Sequence, residues 1–131
     1  PGTIIPTATA SQLPKIPNQE GKFLMENVSY IDVTFNNLPF SMSIDNAPGI
    51  RSNLGLIDAA GPAPELKSIC QPIGTIFYDV NAQTYMSADI MYGEGCNYFV
   101  FKKNNQPLYA NRMTPDAVQY FTNVMTQVKV K

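Results

Sequence analysis

Apolar residues recur along this chain with two different periods, and the change of period divides it into parts. Ile31, Val33 and Phe35 alternate with Tyr30, Asp32 and Thr34. Phe40, Met42 and Ile44 alternate with Ser41, Ser43 and Asp45. Successive side chains of a strand point to opposite faces, so each run predicts a strand with one buried face. Asn36-Asn37-Leu38-Pro39 between them has turn chemistry, because Asn tolerates the left-handed region and Pro presets its own φ. Lys22–Asp45 is therefore expected to form a β-hairpin.

The same period returns after residue 72, now with apolar groups on both faces. Ile73–Val80 carries Ile76, Tyr78 and Val80 on one side, with Ile73 and Phe77 on the other. In Tyr85–Tyr92, Met86, Ala88, Ile90 and Tyr92 oppose Tyr85, Ser87, Asp89 and Met91. Tyr98–Lys102 sets Phe99 and Phe101 against Tyr98 and Val100. Turns are expected at Asn81 to Thr84, Gly93-Glu94-Gly95 and Asn104-Asn105-Gln106. The last strand, Pro107–Ala110, must begin at its proline or lie at an edge, because Pro cannot donate to a ladder.

The period then lengthens. Val118, Phe121, Met125 and Val128 recur at spacings of three and four, widened by Tyr120 and Val124. Thr114 suits the N-cap, Pro115 the first helical position and Asp116 the positive end of the dipole, while Lys129 and Lys131 suit the negative end. A closing helix is predicted from Pro115 onward.

The remaining chain lacks a period. Pro48-Gly49, Asn53, Gly55, Gly61-Pro62 and Pro64 punctuate residues 46–72. There, Ile50–Leu56 reads as an irregular strand or turn and Pro64–Cys70 as a short helix. The whole stretch is expected to be a packed crossover, with a lid or partner contact as the alternative. Residues 1–21 place Pro1, Pro6, Pro14 and Pro17 in a Thr/Ala/Ser/Gln background. They read as a tail or linker, or a frayed end, ahead of a domain over 22–131. The expected fold is α+β: a mostly antiparallel sheet, formed by an N-terminal hairpin and a C-terminal meander, packed against one C-terminal helix. A small barrel or sandwich plugged by the helix is the alternative.

Composition narrows the function. Nine basic and ten acidic residues give a net charge of −1, and the only basic clusters are Lys102-Lys103 and Lys129…Lys131. Nucleic-acid binding by phosphate neutralisation is disfavoured. No apolar run reaches ~18 residues, so no membrane-spanning helix is expected, although the tail is compatible with a lipid tether. No basic n-region followed by an apolar run marks a signal peptide. Histidine is absent, which removes imidazole acid–base chemistry, Ser-His and Cys-His pairs and two-His metal sites.

Other groups offer little chemistry. Asp79 and Asp89, on adjacent predicted strands, would split their pKa values if they met; two outward carboxylates are the plainer reading. Gly93-Glu94-Gly95 is too short to cradle a phosphate. Met86, Met91 and Cys96 are soft donors, but the two methionines point to opposite faces, which favours packing over a metal. Asn27-Val28-Ser29 matches a glycosylation acceptor, a short pattern common by chance. No cofactor or metal is implied. Cys70 and Cys96 either close a disulfide or stay as buried thiols.

Five tyrosines of the meander (Tyr78, Tyr85, Tyr92, Tyr98 and Tyr109) suit surfaces with one dry and one wet end. Since one helix covers only one face of a sheet, the second face needs the hairpin, the long loop, a ligand or a partner. Tyr85, Tyr98, Tyr109 and Arg112 are the candidate ligand- or partner-binding residues, with Arg112 and Asn111 placed to hold an anionic group. The leading expectation is a non-enzymatic binding or interaction domain outside the cytoplasm, secreted or periplasmic. It would be tethered by its Pro-rich tail and would bind a small apolar ligand or a protein. The alternatives are a cytoplasmic subunit that homodimerises through an exposed sheet face and, third, an enzyme with a carboxylate or Tyr/Arg site.

Overall fold

The computed structural model describes residues 12–39 and 41–130, with side chains described through Thr126. Phe40, Lys131 and the first eleven residues, with Pro1 and Pro6 of the expected tail, lie outside that description, as do the side chains of Val128 and Lys129. Among the described residues, six strands form one antiparallel sheet. They are β1 (Tyr30–Phe35), β2 (Ser41–Ile44), β3 (Pro72–Val80), β4 (Gln83–Met91), β5 (Tyr98–Lys103) and β6 (Gln106–Arg112), in the order β2-β1-β3-β4-β5-β6. Three helices accompany them: α1 (Asn18–Asn27), α2 (Ala47–Leu54) and α3 (Pro115–Val130). The fold is α+β and mostly sheet, with the expected hairpin and meander joined edge to edge through β1 and β3.

Pairing aligns the period-two pattern into layers. Val33, Ile76, Ala88 and Phe101 lie in one row across β1, β3, β4 and β5, and Phe35, Gly74, Ile90 and Phe99 lie in another. This inner face packs against Leu24 of α1, Ile50 and Leu54 of α2, and Ala117 and Phe121 of α3. The Phe121 ring meets Phe99 edge-on at 6.2 Å. Gly74 is needed where β3 approaches β1, since a Cβ there would collide with the Thr34 carbonyl. Both tight turns have two central residues with positive φ: Asn81 (54°) and Ala82 (66°), then Asn104 (51°) and Asn105 (66°). That geometry matches the right-handed twist of a hairpin. Alanine pays a steric cost in that region, so Ala82→Gly is expected to raise the chemical-denaturation midpoint, by about 1 kcal/mol in stability.

Three expectations for the irregular stretches are corrected. Lys22–Asn27 belongs to α1 and not to the hairpin. Only Leu24 of α1 is buried, while Met25 is exposed and Phe23 partly so, and the helix leaves almost no periodic trace. Ile50–Leu56 is mostly helix, as part of α2. Asn46 caps it by accepting the Gly49 N–H (2.8 Å), Pro48 fits the first turn, and Ile50, Asn53 and Leu54 share the buried face. The Pro-Gly pair that looks like a break is thus a helix start. Pro64–Cys70 is not helical: Glu65 bridges to Gln12, and the Lys67 N–H donates to the Tyr98 hydroxyl (3.3 Å). The closing helix begins as expected, with Thr114 Oγ1 accepting the Ala117 N–H at 3.1 Å.

Residues 12–21, read as part of a linker, pack onto the sheet. The Ala110 N–H donates to the Pro14 carbonyl (2.9 Å), Ile16 is buried, and residue 21 falls inside α1. A proline lacks a donor but keeps its acceptor, and an acceptor is all that β6 requires of Pro14.

Among the described residues two buried side-chain atoms lack a hydrogen-bond partner, Asn53 Oδ1 and the Tyr78 hydroxyl. Tyr78 is fully buried, and its hydroxyl finds no hydrogen-bond partner. Burial alone pushes this phenol far above its ordinary range. Tyr78→Phe is expected to raise the unfolding free energy by about 1 kcal/mol, because it removes a desolvated hydroxyl and keeps the ring. Wild-type Tyr78 holds its proton in the fold and releases it on unfolding above about pH 10. Stability therefore falls with rising pH in that range, by about 1.4 kcal/mol per unit, and the variant loses this share of the slope. Urea midpoints at pH 8 and pH 11 check both statements.

Candidate functional site

The second sheet face holds the candidate site. Along β5, Phe99 and Phe101 point to the helices, while Tyr98, Val100 and Lys102 point outward. Pairing extends these outward positions into rows: Met91, Tyr98 and Arg112; Asp89, Val100 and Ala110; Ser87, Lys102 and Pro107. An apolar outer face would be costly in water. Part of it is covered by the long connection before β3 and by the chain before α1, through Leu66 and Leu13. The expected two-faced meander is therefore real, and its second face has partial cover from within the chain.

A disulfide pins this cover. Cys70, two residues before β3, is bonded to Cys96, two residues before β5. Both are buried beside Tyr98 and Val100. Of the two readings of the cysteines, the bonded one holds.

Between cover and sheet runs a groove of about 710 Å³, lined by Leu13, Leu66, Met91, Tyr98, Val100 and Pro107 together with the polar Lys67, Ser68, Asp89, Lys102 and Gln106. Its volume lies within the range of small-molecule sites. Lys102 is already neutralised, its ammonium 2.8 Å from the Asp89 carboxylate. Beyond Tyr98 the groove adjoins a polar pocket of about 300 Å³, lined by Glu65, Lys67, Gly95, Asn97 and Arg112. Tyr98 and Lys67 line both spaces.

The four candidate binding residues separate into two places. Tyr98 and Arg112 are paired neighbours on the outer face and share the polar pocket. Arg112 Nε donates to the Pro62 carbonyl (3.1 Å). Tyr109 pairs with Phe101 and packs against the helix-side core. Tyr85 also belongs to the helix side. Strict alternation would align it with Ser87 and Asp89, but the register shifts between Tyr78 and Asp79 and leaves Tyr85 as the unpaired extra residue. Such a bulge re-aims a side chain. The Tyr85 ring lies 4.8 Å from Phe23 of α1, and its hydroxyl donates to Glu20 (2.5 Å) and accepts from Lys103 (3.0 Å). The Glu20 hydrogen bond and then burial hold the Tyr85 proton more tightly than usual, and the Tyr85 hydrogen bond does the same for Lys103. This cluster ties α1 to the sheet.

Asp79 pairs with Thr84 and accepts its hydroxyl (3.1 Å), whereas Asp89 lies opposite Thr75 and binds Lys102, so the two carboxylates do not meet. Asn111 does not face an anion site. It is fully buried, accepts the Ile16 N–H (2.9 Å) and donates to the Asp58 carbonyl (2.9 Å). Met86 is a core residue of the inner face and Met91 lines the groove. Leu13, Leu66 and Lys67 were missed as site residues, because nothing local in the sequence says that these two irregular segments cross the sheet. Among the described residues no helix is long and apolar enough to span a membrane, and no cluster of three or more acidic or cysteine side chains is suited to a metal. Comparison with family models, curated proteins and solved structures gives no match, so the site is argued from its own geometry.

Proposed function

We propose that this chain is a non-enzymatic binding domain working outside the cytoplasm, and that it takes a small apolar molecule on the outer face of its sheet. The observation that carries this reading is the groove of about 710 Å³ between the sheet and its disulfide-pinned cover, with apolar side chains on both walls. Apolar walls supply most of the binding energy in such sites and a few polar groups fix orientation. The buried Cys70–Cys96 bond supports an oxidising compartment, since disulfides persist there and are rare in the cytosol. It weighs against a cytoplasmic subunit. A tethering role is confined to residues before Gln12, because Pro14 and Pro17 belong to the packed chain.

Native mass spectrometry of the protein purified from its own source tests the reading. A retained small molecule, lost when Val100→Lys fills the groove with charge, is the expected result. An adduct that persists unchanged in that variant would place the ligand elsewhere.

A further inference from the structure

The groove presents mainly apolar surface, its Lys102 is paired with Asp89, and a pocket with two unpaired cations adjoins it past Tyr98. From this we infer that its ligand is an amphiphile bearing a single carboxylate, an alkyl carboxylate of the fatty-acid type. The inference rests on the groove being a ligand site and adds the chemistry of the ligand's polar end.

Tyr98 divides the two spaces. It is almost fully buried, it lines both, and its hydroxyl accepts the Lys67 N–H at 3.3 Å. That leaves the hydroxyl hydrogen free to donate. Lys67 and Arg112 line the polar pocket with it. Among the described residues the ion pairs are Lys102–Asp89 and Lys103–Glu20, so neither Lys67 nor Arg112 is neutralised. The two cations are nevertheless placed. Lys67 Nζ lies over Gly95, where a Cβ would be 3.3 Å from it, and Arg112 is held at Nε by Pro62, which leaves its terminal nitrogens unspent.

The lining of the pocket also contains Glu65. Two cations and one carboxylate sum to one positive charge, which a monoanion cancels and a phosphomonoester dianion would exceed. A carboxylate also fits the planar fork of an arginine. An alkyl chain continuing from that head past Tyr98 enters the groove among Met91, Val100 and Leu66, where it leaves water. A cationic amphiphile would meet Lys67 and Arg112 with like charge.

Calorimetric titration of the full chain with decanoate and decyltrimethylammonium below their micelle concentrations, and with 1-decanol below its solubility limit, tests this. Decanoate is expected to bind at one site roughly tenfold more tightly than decanol, the scale of a charge-assisted hydrogen bond. Decyltrimethylammonium is expected to bind more weakly than decanol. Lys67→Met alone reduces the preference for decanoate over decanol, and Lys67→Met with Arg112→Met abolishes it. Lys67 is exposed and unpaired, so the single variant keeps the test valid if the Arg112 change disturbs Pro62. Equal affinity for decanoate and decanol, or a preference that survives the double variant, overturns the carboxylate and leaves the groove reading standing. Failure of all three to bind overturns both.

Discussion

Breaking the Cys70–Cys96 bond is expected to cost about 3.5 kcal/mol of stability. The bonded residues are 26 apart in sequence, and a loop of that length, closed in the unfolded chain, removes conformational entropy worth about that amount in the chain-entropy model. For a chain of this size the loss corresponds to a fall in melting temperature of roughly 10–15 °C. The effect reaches beyond the unfolded state. Cys70 and Cys96 pack with Tyr98 and Val100, and Leu13, Leu66 and Met91 pack against that cluster. A reduced protein therefore loosens at the groove first. Urea unfolding of the wild type with and without dithiothreitol, beside the Cys70→Ala, Cys96→Ala variant, checks the magnitude. Reduced wild type and double variant should coincide. An unchanged midpoint on reduction would show that the bond contributes nothing.

The second large effect is expected at Asn111. Its side chain is fully buried and spends both functions, accepting from Ile16 and donating to the Asp58 carbonyl. It holds two irregular segments to the sheet: the chain before α1 and the connection after α2. Asn111→Leu keeps the number of side-chain heavy atoms and orphans the buried Ile16 N–H and the half-buried Asp58 carbonyl. Each orphan costs about 1–3 kcal/mol, so the variant should lose about 3 kcal/mol. Hydrogen exchange gives a reading that general destabilisation does not. The Ile16 amide, protected in the wild type, should exchange in Asn111→Leu while amides of the central strand β3 stay protected. Retained protection at Ile16 would argue against the bridge.

These two ties explain why the site was only partly legible in the sequence. The strands of the meander announce themselves because every second residue meets one environment, and the closing helix does so through Val118, Phe121 and Thr114. Tyr98 and Arg112 could be singled out, since a tyrosine on a doubly apolar strand and an arginine beside a helix start are local facts. Their partners could not. Lys67, Leu66 and Leu13 lie in aperiodic segments whose positions are set by Cys70, by Asn111 and by the Pro14 carbonyl, all acting across long sequence separations. Tyr85 went the other way. It looked like a member of the outer face, and a single unpaired residue at the β3–β4 bulge turned it toward α1.

The sequence by itself determined the meander with two apolar faces and the helix that closes it, because period and capping are local consequences of backbone geometry. It also excluded imidazole chemistry, through composition alone. The tertiary structure decided what lies on the second face. A disulfide holds the connection before β3 over it, Leu13 of the chain before α1 packs beside that connection, and their placement leaves a groove with Lys67 and Arg112 unpaired beyond one end. Long-range ties of this kind leave no periodic mark, so pattern along the chain cannot report them.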